Sequence, residues 1–214
     1  MIYFSDVDVV LKLANCGFLP HLPELLGVPT DAICIQYLAS LKTRLTRPNK
    51  KLTNAAYQKH LAEFCDTHQM IGAAADISRH EELLQSGLDP GEALLFAEAE
   101  ATRGIVVTGD KRAITHYAKH STPAMRAKLR LVCWEQLLLR VHHLKGYDEL
   151  KRGGCEHLEE GLLSLAFSSG LATQEEHAME AIRSYLNQVK DRAADFLFDF
   201  GVRFRAGTIF RSRV

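Results

Sequence analysis

Short β-branched and apolar runs alternate with longer segments of helical periodicity over residues 1–147. The runs MIYFS, DAICI, IVVTGD and LRLVCW have the profile of strands, whereas MIGAAADI fits neither a strand nor a helix clearly. Strands that are joined by helices enter one sheet through right-handed crossovers, so this alternation builds a parallel sheet with helices on its faces. We therefore predict a three-layer α/β fold around a central parallel sheet.

The rest of the chain shows no strand pattern. GLLSLAF and EEHAMEAIRSYLNQVKDRAADFLFDF have helical spacing, and no Ser-rich or Pro-rich linker precedes them. We predict an α/β domain over residues 1–147 and an entirely helical extension over residues 148–214. The extension is expected to pack on the sheet domain or on a second copy of the chain in a homo-oligomer.

The composition excludes several classes of protein. Hydrophobic residues make up 47% and charged residues 24% of the chain, which are ordinary globular values and argue against a disordered or low-complexity chain. No segment approaches the roughly 20 apolar residues of a membrane span, and Asp6 and Asp8 interrupt the region where a secretion signal would need an apolar core. The five cysteines contain no CxxC pair. We expect a cytoplasmic protein with reduced thiols and no contact with a membrane.

Basic residues are clustered although the net charge is zero, with 26 Lys and Arg against 26 Asp and Glu. Residues 32–62 and residues 111–130 contain basic side chains and no acid, and the last fifteen residues carry four arginines without an acid. A phosphate backbone responds to such local clusters more than to the net charge. The clusters favour contact with nucleic acid, and solvated helix faces are the alternative.

Acidic residues mark the edge where the carboxyl ends of the predicted strands meet. Asp6 follows the first strand, Asp110 follows IVVTG, and Glu92 lies in the first turn of the helix before that strand. Asp8 lies two residues beyond Asp6. Carboxylates brought together at such an edge repel one another unless a cation neutralises them, and Mg²⁺ or Mn²⁺ prefers oxygen ligands. The sequence predicts a metal site here, although the same acids also suit helix caps and first-turn positions.

The segments FSDVDVVLKL and GLDPGEALLFAEAEATRGIVVTGDKRAI resemble the PIN-domain family of metal-dependent ribonucleases. The most specific parts of the resemblance are the D-x-G-E-A motif at residues 89–93 and the T-x-D-K-R-A motif at residues 108–113. LPHLPELLG is also similar to the second short helix of such proteins. The resemblance covers residues 1–145.

The resemblance implies a PIN-like fold and a Mg²⁺- or Mn²⁺-dependent ribonuclease in which a metal-activated water hydrolyses RNA. It places the catalytic acids at Asp6, Glu92 and Asp110, which with Asp8 would hold the metal. By family habit it also allows a toxin-like role with an antitoxin-like protein partner. The residues expected to bind substrate are Thr108, Lys111 and Arg112.

Two alternatives stay open. PIN domains usually carry a glutamate early in the helix after the second strand, where this chain has QYLASLKTRL. One alternative is therefore a catalytically degenerate PIN scaffold that binds RNA or a protein partner. The opening D-x-D-x-V also resembles haloacid-dehalogenase-like phosphatases, with Asp6 as nucleophile and Asp8 as general acid. Against the phosphatase, Ile114 stands where the acidic turn of that family has its second aspartate.

Overall fold

The computed structural model describes residues 1–36 and 55–201. Its centre is a five-stranded sheet in which every pairing is parallel and the strand order is β3-β2-β1-β4-β5. The strands are β1 (Tyr3–Ser5), β2 (Ile33–Gln36), β3 (Gln69–Ile71), β4 (Ile105–Thr108) and β5 (Arg130–Cys133). The predicted α/β fold with a central parallel sheet is confirmed, and the ambiguous segment MIGAAADI contributes the edge strand β3.

Helices cover both faces of this sheet. Every residue of β1 and of β4 is buried, although successive side chains of a strand point to opposite faces. The helices are α1 (Val7–Asn15), α2 (Leu22–Leu26), α3 (Ala55–Thr67), α4 (Ile77–Ser86), α5 (Pro90–Thr102), α6 (Lys111–His120), α7 (Pro123–Arg126), α8 (Trp134–Lys145), α9 (Tyr147–Glu156), α10 (Gly161–Ala166) and α11 (Glu175–Ala193).

The residues after 147 pack on the sheet domain. Leu150, Leu163 and Phe196 are fully buried in the same hydrophobic core as the strands. Helix α9 approaches the loop after α1 so closely that a Cβ at Gly153 would lie 2.3 Å from the Phe18 ring and 2.4 Å from the Cys16 carbonyl oxygen. The core is therefore continuous across residue 147.

The prediction that this extension is entirely helical is wrong at Leu197. Leu197 forms an isolated parallel bridge with Leu131 of β5. The Leu131 N–H donates to the Phe196 carbonyl at 2.8 Å. The Phe198 N–H donates to the Leu131 carbonyl at 2.7 Å. Since β5 is an edge strand, its outer polar groups would otherwise lack partners from the sheet, and the extended segment after α11 supplies them.

Several predicted features lie outside the described residues. These are the helix expected in QYLASLKTRL, most of the first basic block (Lys42, Arg44, Arg47, Lys50 and Lys51), and the arginines Arg203, Arg205, Arg211 and Arg213. Within the described part of the chain, no helix combines the length and the apolar content needed to cross a membrane. All five cysteines are free thiols.

Candidate active site

The strand order reverses direction between β1 and β4, which are neighbours in the sheet but far apart in the chain. In open parallel sheets this switch point opens a crevice beyond the carboxyl ends of the two strands. Asp6 directly follows β1 and Asp110 follows β4 by two residues, so both lie at this crevice. A cavity of about 810 Å³, the switch-point cavity, is lined by Asp6, Asp8, Gly87, Leu88, Asp89, Glu92, Asp110, Arg112, Ala113 and His116.

A second cavity of about 760 Å³ adjoins the first and shares Asp6, Asp8 and Asp89 with it. We name it the apolar arm because most of its other lining side chains are hydrophobic. Its lining residues are Asp6, Val7, Asp8, Leu11, Gly72, Ala73, Ala74, Ile77, His80, Asp89, Pro90, Gly91 and Leu94. The two cavities together form a trough with carboxylates at its middle.

Asp6 is the N-cap of α1 and faces both cavities. Its carboxylate accepts hydrogen bonds from the Asp8 N–H at 3.2 Å and from the Thr108 hydroxyl at 3.3 Å. Burial raises the pKa of Asp6 from its ordinary 3.8 to about 6, the charges of Asp8 and Asp110 add to this rise, and the two hydrogen bonds oppose it. The ionised form of Asp6 is therefore electrostatically unfavourable in the protein without a cation.

Glu92 is held in the first turn of α5 by a capping box. The Asp89 side chain accepts from the Glu92 N–H at 3.2 Å, and the Glu92 carboxylate accepts from the Asp89 N–H at 3.4 Å. Burial raises the pKa of Glu92 to about 7, and the charges of Asp110, Asp89 and Asp6 add to the rise. Glu92 therefore interacts electrostatically with Asp6, which follows β1, and with Asp110, which follows β4.

Asp110 is the N-cap of α6 and differs from the other two acids. It accepts from the Arg112 N–H at 2.7 Å, from the Ala113 N–H at 3.2 Å and from the Arg112 guanidinium at 3.3 Å. Burial alone would raise the pKa of Asp110, but these hydrogen bonds outweigh burial and hold the pKa below its ordinary value. Asp110 is thus the acid of the cavity that is best stabilised in its ionised form.

Asp8 lies at the boundary of the two cavities with a half-exposed side chain. The Lys12 ammonium, one turn further along α1, forms an ion pair with Asp8 at 2.9 Å and a second one with Glu160 of the C-terminal extension at 3.6 Å. Lys12 therefore partly neutralises Asp8 from within the protein.

The three residues predicted to bind substrate are placed in three different ways. Arg112 lines the switch-point cavity, and its side chain is 94% exposed. Thr108 is buried and supports the acids, since its hydroxyl donates to Asp6 and accepts from the Asp110 N–H at 3.1 Å. Lys111 does not line the cavity: its ammonium pairs with buried Glu135 at 3.1 Å and lies 3.8 Å from the centre of the Tyr185 ring.

The basic side chains of residues 111–130, the second basic block, are therefore not all available to bind a phosphate backbone. Besides Lys111, Arg126 is engaged internally, with an ion pair to Asp195 at 2.6 Å and hydrogen bonds to the carbonyls of Ala118 and Ser121. Of the block's basic residues, Arg112 is the one that the structure brings to the cavity.

Two histidines that the sequence analysis did not single out line the trough, His116 in the switch-point cavity and His80 in the apolar arm. His116 follows Arg112 by four residues, and residues four apart share one face of a helix. The spacing therefore offered a signal for His116, once Asp110 is taken as the cap of that helix. No comparable signal marks His80.

The site suits a hard divalent cation by its chemistry. Its donors are carboxylate oxygens, and the burial and repulsion that raise the pKa of Asp6 and Glu92 are what a bound cation would offset. Within residues 1–36 and 55–201, however, no three His, Cys, Asp or Glu side chains are already spaced to hold a metal ion.

Comparisons of the chain with protein-family models, curated proteins and solved structures found no match. The resemblance to the PIN-domain family therefore stays a prediction that rests on the motifs at residues 89–93 and 108–113. The same holds for the resemblance of the opening D-x-D-x-V to phosphatases.

The raised pKa values give the folded protein a defined response to pH. Folded Asp6 keeps its proton up to about pH 6, whereas the unfolded chain loses it near 3.8, so rising pH between about 4 and 7 destabilises the metal-free protein through this group. Asp6→Asn lacks this effect. The free energy of unfolding of the variant minus that of wild type should therefore increase by roughly 1 to 3 kcal/mol as the pH rises from about 4 to 7. Urea denaturation in EDTA at several pH values measures this difference. A difference that stays constant with pH would contradict the assignment.

Proposed function

We propose that this protein is a Mg²⁺- or Mn²⁺-dependent ribonuclease that hydrolyses phosphodiester bonds in the switch-point cavity. The observation that carries the proposal is the convergence of Asp6, Glu92 and Asp110, from three separate segments of the chain, on one cavity at the carboxyl ends of β1 and β4. Buried acids with shifted pKa values in a cleft are typical of functional sites.

Asp6, Glu92 and Asp110 would hold the cation, with Asp8 beside them. When bound, a divalent cation supplies charge neutralisation at the phosphate and lowers the pKa of a coordinated water. The protein holds the acids by other means: the Thr108 hydroxyl orients Asp6, the capping box orients Glu92, and the first turn of α6 orients Asp110. These contacts hold each side chain where it lines the cavity.

The surroundings of the acids favour a polymeric phosphodiester. Arg112 offers an exposed guanidinium at the edge of the carboxylate cluster, suited to a phosphate oxygen next to the reacting one. The apolar arm continues the cavity past Asp6 and Asp8, so a chain that passes the acids can place apolar parts of its nucleotides on Leu11 and Ile77. The arm and Arg112 together favour RNA over a small phosphomonoester.

A non-catalytic scaffold that binds RNA or a protein partner is the second candidate. Two observations favour it: the Lys12 ammonium pairs with Asp8, and the Arg112 guanidinium pairs with Asp110. Both pairs reduce the negative charge that a cation would otherwise have to neutralise. In the scaffold the acids would serve only as helix caps, which Asp6, Asp89 and Asp110 all do.

A Mn²⁺ titration separates the two candidates. We expect wild-type protein to bind Mn²⁺ with millimolar or tighter affinity, measured by calorimetry or by the loss of the free-ion electron paramagnetic resonance signal, and we expect Asp6→Asn to lose this binding. Asp191→Asn, on an exposed face of α11, should bind as wild type does. No binding by wild type, or binding that Asp6→Asn leaves unchanged, would support the scaffold instead.

A further inference from the structure

His116 is the one imidazole that lines the switch-point cavity, where it accompanies Asp6, Glu92 and Asp110. It lies on α6, the helix that Asp110 caps, and its side chain is half-buried. The ring of His120 stacks on it with 4.3 Å between ring centres, and a Cβ at Gly87 would lie 3.3 Å from its Cε1, so little free space remains on that side. The ring of His116 is therefore held in place at the wall of the cavity.

The hydrogen bonds of Ser86 determine which nitrogen of His116 carries a fixed proton. The Ser86 hydroxyl donates to the Leu83 carbonyl at 2.7 Å, so its oxygen acts as an acceptor toward the His116 Nε2, 3.2 Å away. Nε2 must then carry a hydrogen and donate it to Ser86. Nδ1 is the nitrogen left to gain and lose a proton.

The other side chains around this cavity are less suited to deliver a proton. The carboxylates are assigned to the cation, and the Arg112 guanidinium stays protonated. His80 has a similar environment, with its Nε2 3.3 Å from the Pro90 carbonyl oxygen, but it lies in the apolar arm, which Glu92 and Asp110 do not line. His116 therefore shares a cavity with all three proposed catalytic acids, and His80 with Asp6 alone.

We propose that His116 is a catalytic residue that protonates the leaving oxygen during phosphodiester hydrolysis, an inference that rests on the proposed function. A bond forms between the water oxygen and phosphorus while the bond from phosphorus to the leaving oxygen breaks. The leaving oxygen keeps the electron pair of that bond and takes the proton from Nδ1 of His116. The attacking water releases one proton to solvent, and His116 regains its proton from solvent, so one water is consumed for each bond cleaved.

A pair of substrates with different leaving groups tests this role. RNA releases a ribose hydroxyl, which needs a proton as the bond breaks, whereas bis(p-nitrophenyl) phosphate releases p-nitrophenolate, which is stable without one. With Mn²⁺ present, His116→Gln should slow RNA cleavage roughly 100-fold or more, the usual contribution of general acid catalysis, and slow the p-nitrophenyl ester by less than about threefold. Added imidazole should restore part of the RNA cleavage of His116→Ala.

The controls separate this proposal from the function on which it rests. Asp6→Asn should lose hydrolysis of both substrates, and His177→Gln, at an exposed position of α11 outside both cavities, should retain both. Three results would overturn the role of His116 but leave the proposed ribonuclease function intact. His116→Gln could slow the hydrolysis of both substrates equally, or it could leave RNA cleavage unchanged. His80→Gln could instead be the variant that slows RNA cleavage and spares the p-nitrophenyl ester. If wild type hydrolyses neither substrate, the proposed function itself fails, and the role of His116 fails with it.

Discussion

Asp6→Asn should abolish Mn²⁺-dependent RNA cleavage, with a loss of at least roughly 100-fold, while the protein stays folded. A metal ion contributes several kcal/mol to charge stabilisation in the transition state, and each 1.36 kcal/mol corresponds to about a tenfold change in rate. Asp6 interacts electrostatically with both Asp8 and Asp110 and lines both cavities, so Asp6→Asn would remove a proposed metal ligand from the middle of the trough.

The fold should survive because asparagine caps a helix about as well as aspartate does. The amide oxygen of Asn can still accept from the Asp8 N–H, which the Asp6 carboxylate accepts at 3.2 Å. The NH₂ group of Asn then replaces the carboxylate oxygen that accepts from the Thr108 hydroxyl, and this hydroxyl can turn its hydrogen away and accept from the NH₂ group instead. Loss of an unfavourable buried charge adds stability at neutral pH. Circular dichroism and thermal unfolding should therefore show a folded protein at least as stable as wild type.

Cleavage of a fluorescently labelled RNA in the presence and absence of Mn²⁺ measures the effect, with Asp191→Asn as the matched control. Retained cleavage in Asp6→Asn would reject the site. RNA binding without cleavage by wild type would support the degenerate scaffold. Hydrolysis of a phosphomonoester with a phosphoryl group trapped on Asp6 would support the phosphatase reading instead.

The parallel sheet and the convergence of the acids could be predicted from the sequence because each depends on local signals. β-branched runs such as IVVT are buried on both faces, and a carboxylate at the end of a parallel strand must lie at one edge of the sheet. The edge strand β3 gave a weak signal because its three residues are only partly buried or exposed, so no hydrophobic pattern marks them. The bridge at Leu197 could not be predicted, since it depends on where α11 delivers the chain beside β5.

The same reasoning explains why Lys111, which was predicted to bind substrate, does not line the cavity. A lysine in the first turn of a helix that begins at the carboxyl ends of the strands is an ordinary candidate for contact with a phosphate. Its actual partners, Glu135 and Tyr185, come from α8 and from α11 in the C-terminal extension. Tertiary pairing of this kind leaves no trace in local spacing, whereas the four-residue spacing of Arg112 and His116 does.

Arg79→Met should destabilise the protein by about 3 to 5 kcal/mol, the usual cost of removing one partner of a buried ion pair. The Arg79 guanidinium donates to the Glu100 carboxylate from Nε at 3.0 Å and from Nη2 at 2.8 Å. The Glu100 side chain is 5% exposed, and it also accepts a hydrogen bond from the Tyr117 hydroxyl at 2.9 Å. Without Arg79, this carboxylate stays buried with one neutral hydrogen bond.

Urea denaturation at pH 7 measures the loss, and two further variants identify its cause. Glu82→Gln, which removes the other acidic partner of Arg79 at the surface, should cost less than about 1 kcal/mol. The double variant Arg79→Met, Glu100→Met should recover most of the stability, because no charge is then left buried. A cost of Arg79→Met below about 1 kcal/mol, or no recovery in the double variant, would contradict this explanation.

The pair also bears on the candidate site, since it joins the helices that carry the site residues. Arg79 belongs to α4, Glu100 to α5 and Tyr117 to α6, and the beginnings of α5 and α6 carry Glu92 and Asp110. The far ends of α5 and α6 are thus fixed to each other through one carboxylate. Arg79→Met should therefore weaken Mn²⁺ binding even under conditions where the variant is fully folded, and Glu82→Gln should not, because only the first change removes the charged partner that holds the Glu100 carboxylate in place between these two helices.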